Sequence, residues 1–212
     1  MSVMEKHIYF VRHGQSEENR DRIYGGHDSP LTDEGTVQAQ AVAERVGRIG
    51  VDALISSAYS RTLDTARAIG ERIGLAPEAN VLFGEWREPS VFAGKHRDHP
   101  EVRETLKAIH GTDDPYYQHT DEETFTEIVT RAKAAIALLE QYQAKRICVV
   151  THAGFLRSLI GVMTFGSAFA RKNFVDLINH YYLSNTGITY TRFTDAVPRW
   201  QLVTWNDQSH LG

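Results

Sequence analysis

Short apolar runs along the chain alternate with stretches whose apolar residues recur at helical spacing. Residues 8–11, Ile-Tyr-Phe-Val, are β-branched or aromatic and predict a buried strand. The same reading predicts strands at 53–57 and 147–151, and helices at 32–47, 61–73 and 155–163. Strands that alternate with helices form mostly parallel sheets covered on both faces. The pattern therefore predicts an α/β fold, a three-layer sandwich with a mostly parallel central sheet and helices on both faces.

Further segments extend this architecture. Residues 81–83 predict a short strand, and Thr120–Glu123 match a capping box, in which Thr and Glu satisfy each other's backbone donors. A helix with an apolar stripe over 125–139 should follow it. Alternation at 188–193 and 200–205 predicts an antiparallel pair at the sheet edge.

The least periodic segment covers residues 84–119, with four histidines and three prolines. We expect it to be a surface excursion with a short helix at 101–109 that shapes the mouth of a site. The rest of the pattern contains no linker or repeat, so we expect one domain over residues 1–212.

Composition narrows the possible partners. The chain has 212 residues, and 23 Lys and Arg against 27 Asp and Glu give a formal net charge of −4. No overall positive field is available for nucleic acid or an anionic membrane, so any cationic site must be local. The single cysteine, Cys148, cannot form an intramolecular disulfide, which fits a reducing compartment. The sequence contains neither the apolar core of a signal peptide nor a run of about 20 apolar residues that could span a membrane, so we expect a cytoplasmic protein. The sequence does not predict the oligomeric state.

Two histidines directly follow predicted strands. His13 comes after residues 8–11, and His152 comes after residues 147–151. Ligands of such sheets bind beyond the carboxyl ends of the strands. Both side chains are therefore expected at one site.

Four sequence blocks around these histidines resemble a known family. They are Arg-His-Gly-Gln-Ser-Glu-Glu-Asn at 12–19, Gly-x-Asp-x-Pro-Leu-Thr at 26–32 followed by Gly35 and Gln38-Ala39, residues 57–66 with Arg61, and Thr-His-Ala-Gly at 151–154. In this order, over residues 7 to about 157, they resemble the histidine phosphatase superfamily, the phosphoglycerate mutase-like proteins. The resemblance implies an α/β sandwich and catalysis through a phosphohistidine on His13. It also implies that Arg12, Arg61 and His152 surround the phosphate and that Asn19 contacts it.

These residue types suit phosphoryl transfer. Charge spreads over the phosphoryl oxygens in the transition state, so cationic donors must surround them. Arg12 and Arg61 supply planar forks that match phosphate, and a neutral imidazole at His13 offers a lone pair. The amide of Ala153, at the start of a predicted helix, is a further candidate donor. Gly14 should permit a close backbone turn that aims the His13 ring at the phosphate.

The leaving oxygen needs a proton, which a carboxylic acid can supply. We select Glu85, because the segment Glu-Trp-Arg-x-Pro-Ser at 85–90 looks like the acid-bearing segment of some phosphatases, and Glu88 is the alternative. The mutase branch has a Glu-Arg-His-Tyr-Gly-like block here, which this chain lacks. Gly25 stands where several relatives place a hydroxyl residue, so we expect one side-chain contact to phosphate to be either missing there or replaced by the backbone of Gly25.

A metal site is the competing interpretation of the histidines. His13 and His152 with a carboxylate, or His96 and His99 with Asp98, offer ligand-type residues. No tight ligand pair on a helix is present, and neighbouring arginines would repel a cation. We therefore expect neither a metal nor a cofactor.

Three functions remain open. The leading hypothesis is a phosphomonoesterase that hydrolyses a small phosphorylated metabolite through a phosphohistidine. A phosphoglycerate-mutase-type phosphoryl transfer would use the same pocket and exclude water. A non-catalytic module that binds phospho-ligands would need only the cationic residues. The substrate, a small-molecule phosphate monoester, is expected to be selected by residues 84–119 and 166–180, where Arg97 is either a substrate contact or an exposed loop residue.

Overall fold

The predicted alternation of strands and helices is present in the structure, a computed structural model that describes residues 4–212. The described residues form six strands: β1 (Glu5–Arg12), β2 (Ala53–Ser56), β3 (Glu78–Ala79), β4 (Arg146–Thr151), β5 (Ile188–Thr194) and β6 (Trp200–Asp207). They form seven α-helices: α1 (Glu17–Asp21), α2 (Asp33–Ile49), α3 (Ser60–Ile73), α4 (Pro100–His110), α5 (Phe125–Gln141), α6 (Ala153–Phe165) and α7 (Arg171–His180). The prediction of an α/β fold is confirmed.

The strands form one mixed sheet in the order β3-β2-β4-β1-β5-β6. β3, β2, β4 and β1 are parallel, and β5 and β6 add the predicted antiparallel edge. Arg12 on β1 lies opposite Thr151 on β4. The next residue of each strand is a histidine, so the register brings His13 and His152 out side by side.

Two apolar cores, one on each face of the sheet, make the structure three-layered. Side chains alternate between the faces of a strand, so Ile147 and Val149 of β4 pack on one side, and Cys148 and Val150 on the other. The first core is completed by α5, α6 and α7, and the second by α2 and α3. None of the described helices is long and apolar enough to cross a membrane.

The strand predicted at 81–83 is wrong. Residues Val81–Phe83 form a 3-10 turn, because the Asn80 side chain accepts the amide of Leu82 at 3.0 Å and Gly84 donates to the Val81 carbonyl at 3.1 Å. The short strand of this region, β3, lies just before this turn and pairs with β2.

The capping box is present four residues later than predicted. The Thr124 hydroxyl accepts the Glu127 amide at 3.2 Å, and the Glu127 carboxylate accepts the Thr124 amide at 2.8 Å, which caps α5. Glu123, which a box at Thr120 would need, pairs instead with Arg131 at 2.6 Å. The Thr-x-x-Glu pattern occurs twice in succession, at 120–123 and 124–127. The ion pair between Glu123 and Arg131 uses the glutamate of the first pattern, so the second pattern caps the helix.

Residues 84–119 run over the surface and contain the predicted short helix, α4. A small satellite core of Tyr24, Phe92 and Val102, with Leu106 packed against it, attaches this segment to the rest of the chain. The segment forms one wall of the site.

Candidate active site

His13 follows β1 and is 3% exposed. Its Nδ1 lies 2.7 Å from the Gly14 carbonyl, which can only accept, so Nδ1 carries the ring proton. Nε2 therefore holds a lone pair, and it makes no hydrogen bond within residues 4–212. Burial, and then the charges of Arg61 and Arg12, hold the pKa of His13 well below its usual 6.5. The ring is therefore neutral at neutral pH.

The loop that carries His13 is held by two glycines in close contact. A Cβ on Gly14 would lie 2.5 Å from the Gly35 carbonyl oxygen, and a Cβ on Gly35 would lie 2.0 Å from that of Gln15. Gly14 is thus required by close backbone approach to the start of α2, and its φ is not positive. The predicted need for glycine is met for this different reason.

His152 follows β4, is fully buried, and lies edge-on to His13 with ring centroids 5.2 Å apart. Its Nε2 is 2.9 Å from the Ser57 hydroxyl, which itself accepts the Tyr59 amide at 3.4 Å. We assign Ser57 as the donor to Nε2, and this assignment places the ring proton on Nδ1. Nδ1 is buried and has no partner among the described residues. An unpaired buried donor of this kind is suited to a ligand oxygen.

Two arginines come from different elements. Arg12 ends β1 and donates to the Leu183 carbonyl at 2.6 Å, while its buried Nε has no partner among residues 4–212. Burial lowers the pKa of Arg12 to about 10, so it stays charged at neutral pH. Arg61, in the first turn of α3, is 8% exposed and donates to the Gly26 carbonyl at 2.9 Å.

Two further groups were predicted to contact phosphate, the side-chain amide of Asn19 and the backbone amide of Ala153. Asn19 accepts from Asn185 at 3.1 Å through Oδ1, so its amide nitrogen is oriented as a donor. Glu85 accepts the amides of Gly154 and Phe155, at 3.1 and 2.8 Å, and leaves that of Ala153 to other partners. These first amides of α6 carry the positive end of the helix dipole.

The backbone at Gly25 also lines the cavity. A Cβ there would lie 1.5 Å from the Glu18 carboxylate, whose Oε1 accepts the Gly26 amide at 2.9 Å. The space that a side chain would need is therefore filled by Glu18, and this carboxylate lies 3.9 Å from Arg61.

The carboxyl groups of Glu85 and Glu88 are in different environments. Glu85 accepts three backbone amides, those of Gly154 and Phe155 and its neighbour Trp86 at 2.9 Å. Glu88 makes no side-chain hydrogen bond within the described part of the chain. Burial, and then the adjacent Glu85, raise the pKa of Glu88 to about 8.

These groups surround a cavity of about 230 Å³. Seven of the eight predicted site residues line it: Arg12, His13, Asn19, Gly25, Arg61, Glu85 and Ala153. The eighth, His152, is not a lining residue, and its ring packs edge-on against His13. Arg97, His110 and Arg157 line it as well. A larger groove between α2 and α3, about 590 Å³, contains none of the eight.

A neutral imidazole beside two arginines and a helix N-terminus can attack a phosphorus atom and stabilise the charge that develops on its oxygens. A family model described as histidine phosphatase superfamily (branch 1) matches residues 8–208. The chain belongs to this superfamily. The resemblance found in the sequence blocks is confirmed.

Relatives of the superfamily differ in the activity their names give. A protein of Citrobacter koseri named probable phosphoglycerate mutase GpmB is 30% identical, over 96% of this chain and 94% of its own length. The phosphoserine phosphatase of Entamoeba histolytica has the same fold, with a TM-score of 0.78 at 22% identity, over 98% of this chain and 100% of that one. A mycobacterial glucosyl-3-phosphoglycerate phosphatase also has a TM-score of 0.78, at 23% identity, over 96% and 100% of the two chains.

The sequence blocks did not indicate several other residues of this site. Ser57 lies in the block of residues 57–66, but no function was predicted for its side chain, and none was predicted for Asn185 or Arg157. Arg157 lies one helical turn after Ala153, a spacing that could have drawn attention to it. Asn185 comes from the loop before β5, and nothing in the local sequence points to the site.

The alternative metal ligands are not assembled. Among residues 4–212, no three His, Cys, Asp or Glu side chains come together in a way that could hold a metal ion. The His96 side chain instead accepts the Asp98 amide at 3.1 Å, in an exposed turn.

Proposed function

We propose that this protein is a phosphomonoesterase that hydrolyses a small phosphorylated metabolite through a phosphohistidine at His13. One observation carries the proposal. The Gly14 carbonyl fixes the ring proton on Nδ1 and leaves a lone pair on Nε2, and His13 lines a cavity together with Arg12 and Arg61. A phosphate in that cavity would meet a neutral nucleophile and two positive charges.

In the first step, Nε2 of His13 attacks phosphorus and the bond from phosphorus to the leaving oxygen breaks. Arg12, Arg61, the Nδ1–H of His152 and the Ala153 amide stabilise the three phosphoryl oxygens. Asn19 and the Gly25 backbone are proposed to complete their contacts. Because these groups meet the phosphate charge, we propose a reaction that needs no metal and no cofactor.

The leaving oxygen takes a proton from a carboxyl group of the cavity wall. Glu85 and Glu88 both line the cavity. In the second step, water attacks the phosphohistidine, its proton returns to the same carboxyl group, and phosphate is released. Residues 84–119 supply Trp86, Arg97 and His110 to the cavity and are proposed to select the substrate.

Mutase activity is the second candidate, favoured by the name of the relatives that are about 30% identical. A mutase would return the phosphoryl group to another hydroxyl of the bound product. Product analysis with a phosphoglycerate decides this, because a mutase yields an isomer and a phosphatase yields free phosphate.

The test is hydrolysis of 4-nitrophenyl phosphate in the presence of a chelator. We expect His13→Ala to lose at least about 10³-fold in kcat/KM, and Arg61→Gln about 10²- to 10³-fold through a lost donor. His7→Ala, on the same strand but stacked on Tyr190, is the matched control. Mass spectrometry after alkaline quenching should detect the adduct on His13. Unchanged turnover in His13→Ala would overturn the mechanism, and phosphate binding without turnover in the wild-type protein would indicate a binding module.

A further inference from the structure

A half-buried amide outside the sequence blocks contacts the backbone of the nucleophile. Asn185 lies between α7 and β5, and its side-chain nitrogen donates to two residues of the proposed site, His13 and Asn19. We infer that Asn185 is a positioning residue, which holds the His13 backbone in place and turns the Asn19 amide nitrogen towards the phosphate. The inference rests on the proposed function and deepens it, since it names what fixes the nucleophile.

The hydrogen bonds allow only one orientation of the Asn185 amide. Its Nδ2 lies 3.0 Å from the His13 carbonyl oxygen and 3.1 Å from Oδ1 of Asn19. A carbonyl oxygen can only accept, so the group that faces His13 must be the NH2 of Asn185, whose two hydrogens serve the two oxygens. An oxygen in place of this nitrogen would face two other oxygens. The position therefore requires a donor.

The same contact orients Asn19. Its Oδ1 accepts Nδ2 of Asn185 at 3.1 Å and the backbone amide of Ser16 at 3.4 Å, and both of these groups can only donate. Two donors thus face one end of the Asn19 amide group, and Nδ2 is the other end. Because Asn19 lines the cavity, this nitrogen is available to a phosphate oxygen.

The peptide that links His13 to Gly14 is held on both sides. Its carbonyl accepts Nδ2 of Asn185 at 3.0 Å and the Thr186 amide at 3.3 Å, and its N–H donates to the Thr65 hydroxyl at 3.0 Å. The next carbonyl, that of Gly14, accepts the ring proton of His13. The orientation of this peptide therefore affects the direction of the ring, and Asn185 makes the shorter of the two hydrogen bonds to its carbonyl.

The turn that carries Asn185 is itself held by residues near the C-terminus. Thr186 is fully buried and has a φ of 57°, a left-handed conformation that is rare for a β-branched residue. Its hydroxyl lies 3.1 Å from Nε2 of His210, and Oδ1 of Asn206 accepts the Ser184 amide at 2.9 Å. Such a conformation persists where the surrounding contacts determine it. The amide of Asn185 thus extends from a backbone that is fixed on both sides.

Two substitutions separate the donor from the space that the side chain fills. Asn185→Asp keeps the shape but places a carboxylate against two oxygens, whereas Asn185→Ala removes the group. We expect both to lower kcat for 4-nitrophenyl phosphate by about 10- to 100-fold, with KM changed less than about threefold, because a misplaced nucleophile slows the chemical step. The activity of Asn185→Asp relative to wild type should rise as the pH falls, since a protonated carboxyl can donate again.

Tyr190→Phe, further along β5, is the matched control. It removes the hydrogen bond between the Tyr190 hydroxyl and His7, two residues that do not line the cavity, so kcat should be unchanged. At neutral pH, Asn185→Asp should lose at least as much activity as Asn185→Ala. If Asn185→Asp is the more active of the two, the side chain only fills space and the inference is overturned.

A double-mutant cycle tests the contact with Asn19. Asn19→Ala removes the group that Asn185 orients, so Asn185→Ala should cost less in kcat/KM in that background than in the wild-type protein. An equal cost in the two backgrounds would overturn the part of the inference that concerns Asn19.

Vanadate binding separates the inference from the proposed function. Inorganic vanadate adopts the five-coordinate geometry of phosphoryl transfer and requires the nucleophile in place, whereas inorganic phosphate does not. We expect Asn185→Asp to weaken vanadate binding about 10- to 100-fold and phosphate binding less than about threefold, measured by calorimetry. If the wild-type protein hydrolyses no aryl phosphate but this difference is found, the proposed function fails and the positioning role stands. If the wild-type protein is active and Asn185→Asp binds vanadate equally well, the positioning role alone is overturned.

Discussion

The two histidines of the site differ in which ring nitrogen is occupied by a neighbour. Nδ1 of His13 donates to the Gly14 carbonyl at 2.7 Å, whereas Nε2 of His152 lies 2.9 Å from the Ser57 hydroxyl. The free nitrogen is therefore Nε2 with a lone pair in His13, and Nδ1 with a proton in His152. A nucleophile needs the first and a phosphate donor needs the second, so these tautomers match the proposed roles.

Removing the Ser57 hydroxyl should disturb one histidine only. In Ser57→Ala, Nε2 of His152 loses its donor and the Nδ1–H tautomer is no longer enforced, so we expect kcat/KM for an aryl phosphate to fall about 10- to 100-fold. Ser56→Ala is the control, since the Ser56 hydroxyl bonds the Ser57 carbonyl and not the ring. Equal activity in the two variants would show that Ser57 does not set the tautomer. Nitrogen-15 NMR of the imidazole rings reads the tautomer directly.

Three neighbouring strand ends and two helix starts place the site. β2, β4 and β1 are adjacent and parallel, and Ser57, His152 and His13 follow them in turn. The start of α6 adds the Ala153 amide, and the first turn of α3 adds Arg61. Regular elements fix these positions, so the predicted convergence of His13 and His152 followed from strand order and register.

The contact between the His13 loop and α2 should be sensitive to one methyl group. A Cβ on Gly35 would lie 2.0 Å from the Gln15 carbonyl oxygen, so Gly35→Ala must push the loop away. We expect a loss of about 1–3 kcal/mol in the free energy of unfolding together with a marked fall in kcat. Urea unfolding and aryl phosphate hydrolysis measure the two effects.

Gly47→Ala is the control within the same helix. A Cβ there would lie 3.4 Å from the Arg72 side chain, an ordinary contact, and alanine favours a helix over glycine by about 1 kcal/mol. Gly47→Ala should therefore be as stable as the wild-type protein or more so, with unchanged activity. If Gly35→Ala behaves the same way, close backbone approach does not hold the loop.

At the scale of the whole molecule, the cavity concentrates charge that the chain's composition does not reveal. The net charge is −4, yet Arg12, Arg61, Arg97 and Arg157 all line one cavity. The predicted local cationic site is thus supported by these four arginines. Burying several ionisable groups together makes stability depend on pH, since each pKa differs between folded and unfolded chains.

Glu88 should destabilise the folded protein as the pH rises. Its pKa is 4.5 as a free group and about 8 in the fold, so between these values the folded state holds a proton that the unfolded chain has lost. The free energy of unfolding therefore falls from pH 4.5 to pH 8. Replacing Glu88 with Gln removes this dependence, so the Tm advantage of Glu88→Gln over wild type should grow by several degrees between about pH 4 and pH 9.

Calorimetry across this range checks the prediction, with Glu104→Gln, an exposed position of α4, as the control. A Tm difference that stays constant with pH would contradict it. His13 and His152 have the opposite effect on the pH dependence of stability. Burial holds the pKa of both rings below 6.5, so their contribution to the free energy of unfolding is lost as the pH falls below that value.

The sequence by itself determined the elements whose signal is local. Apolar runs at 8–11, 53–57 and 147–151 coincide with β1, β2 and β4, and helical spacing located α2, α3 and α6. Strand order then brought His13 and His152 together, because parallel strands deliver their carboxyl ends to one edge. The motif blocks identified the superfamily before any contact was known.

Tertiary structure decided everything that depends on residues distant in the chain. Thr120 and Thr124 both satisfy the capping pattern, and the ion pair of Glu123 with Arg131 selects Thr124. Glu85 and Glu88 lie three residues apart in one loop, and the sequence does not distinguish their environments. In the fold, two amides of α6 donate to Glu85, whereas burial raises the pKa of Glu88. The protonation state of Glu88 depends on its desolvation and on nearby charges in the folded chain. The spacing of residues along the sequence does not reveal either quantity.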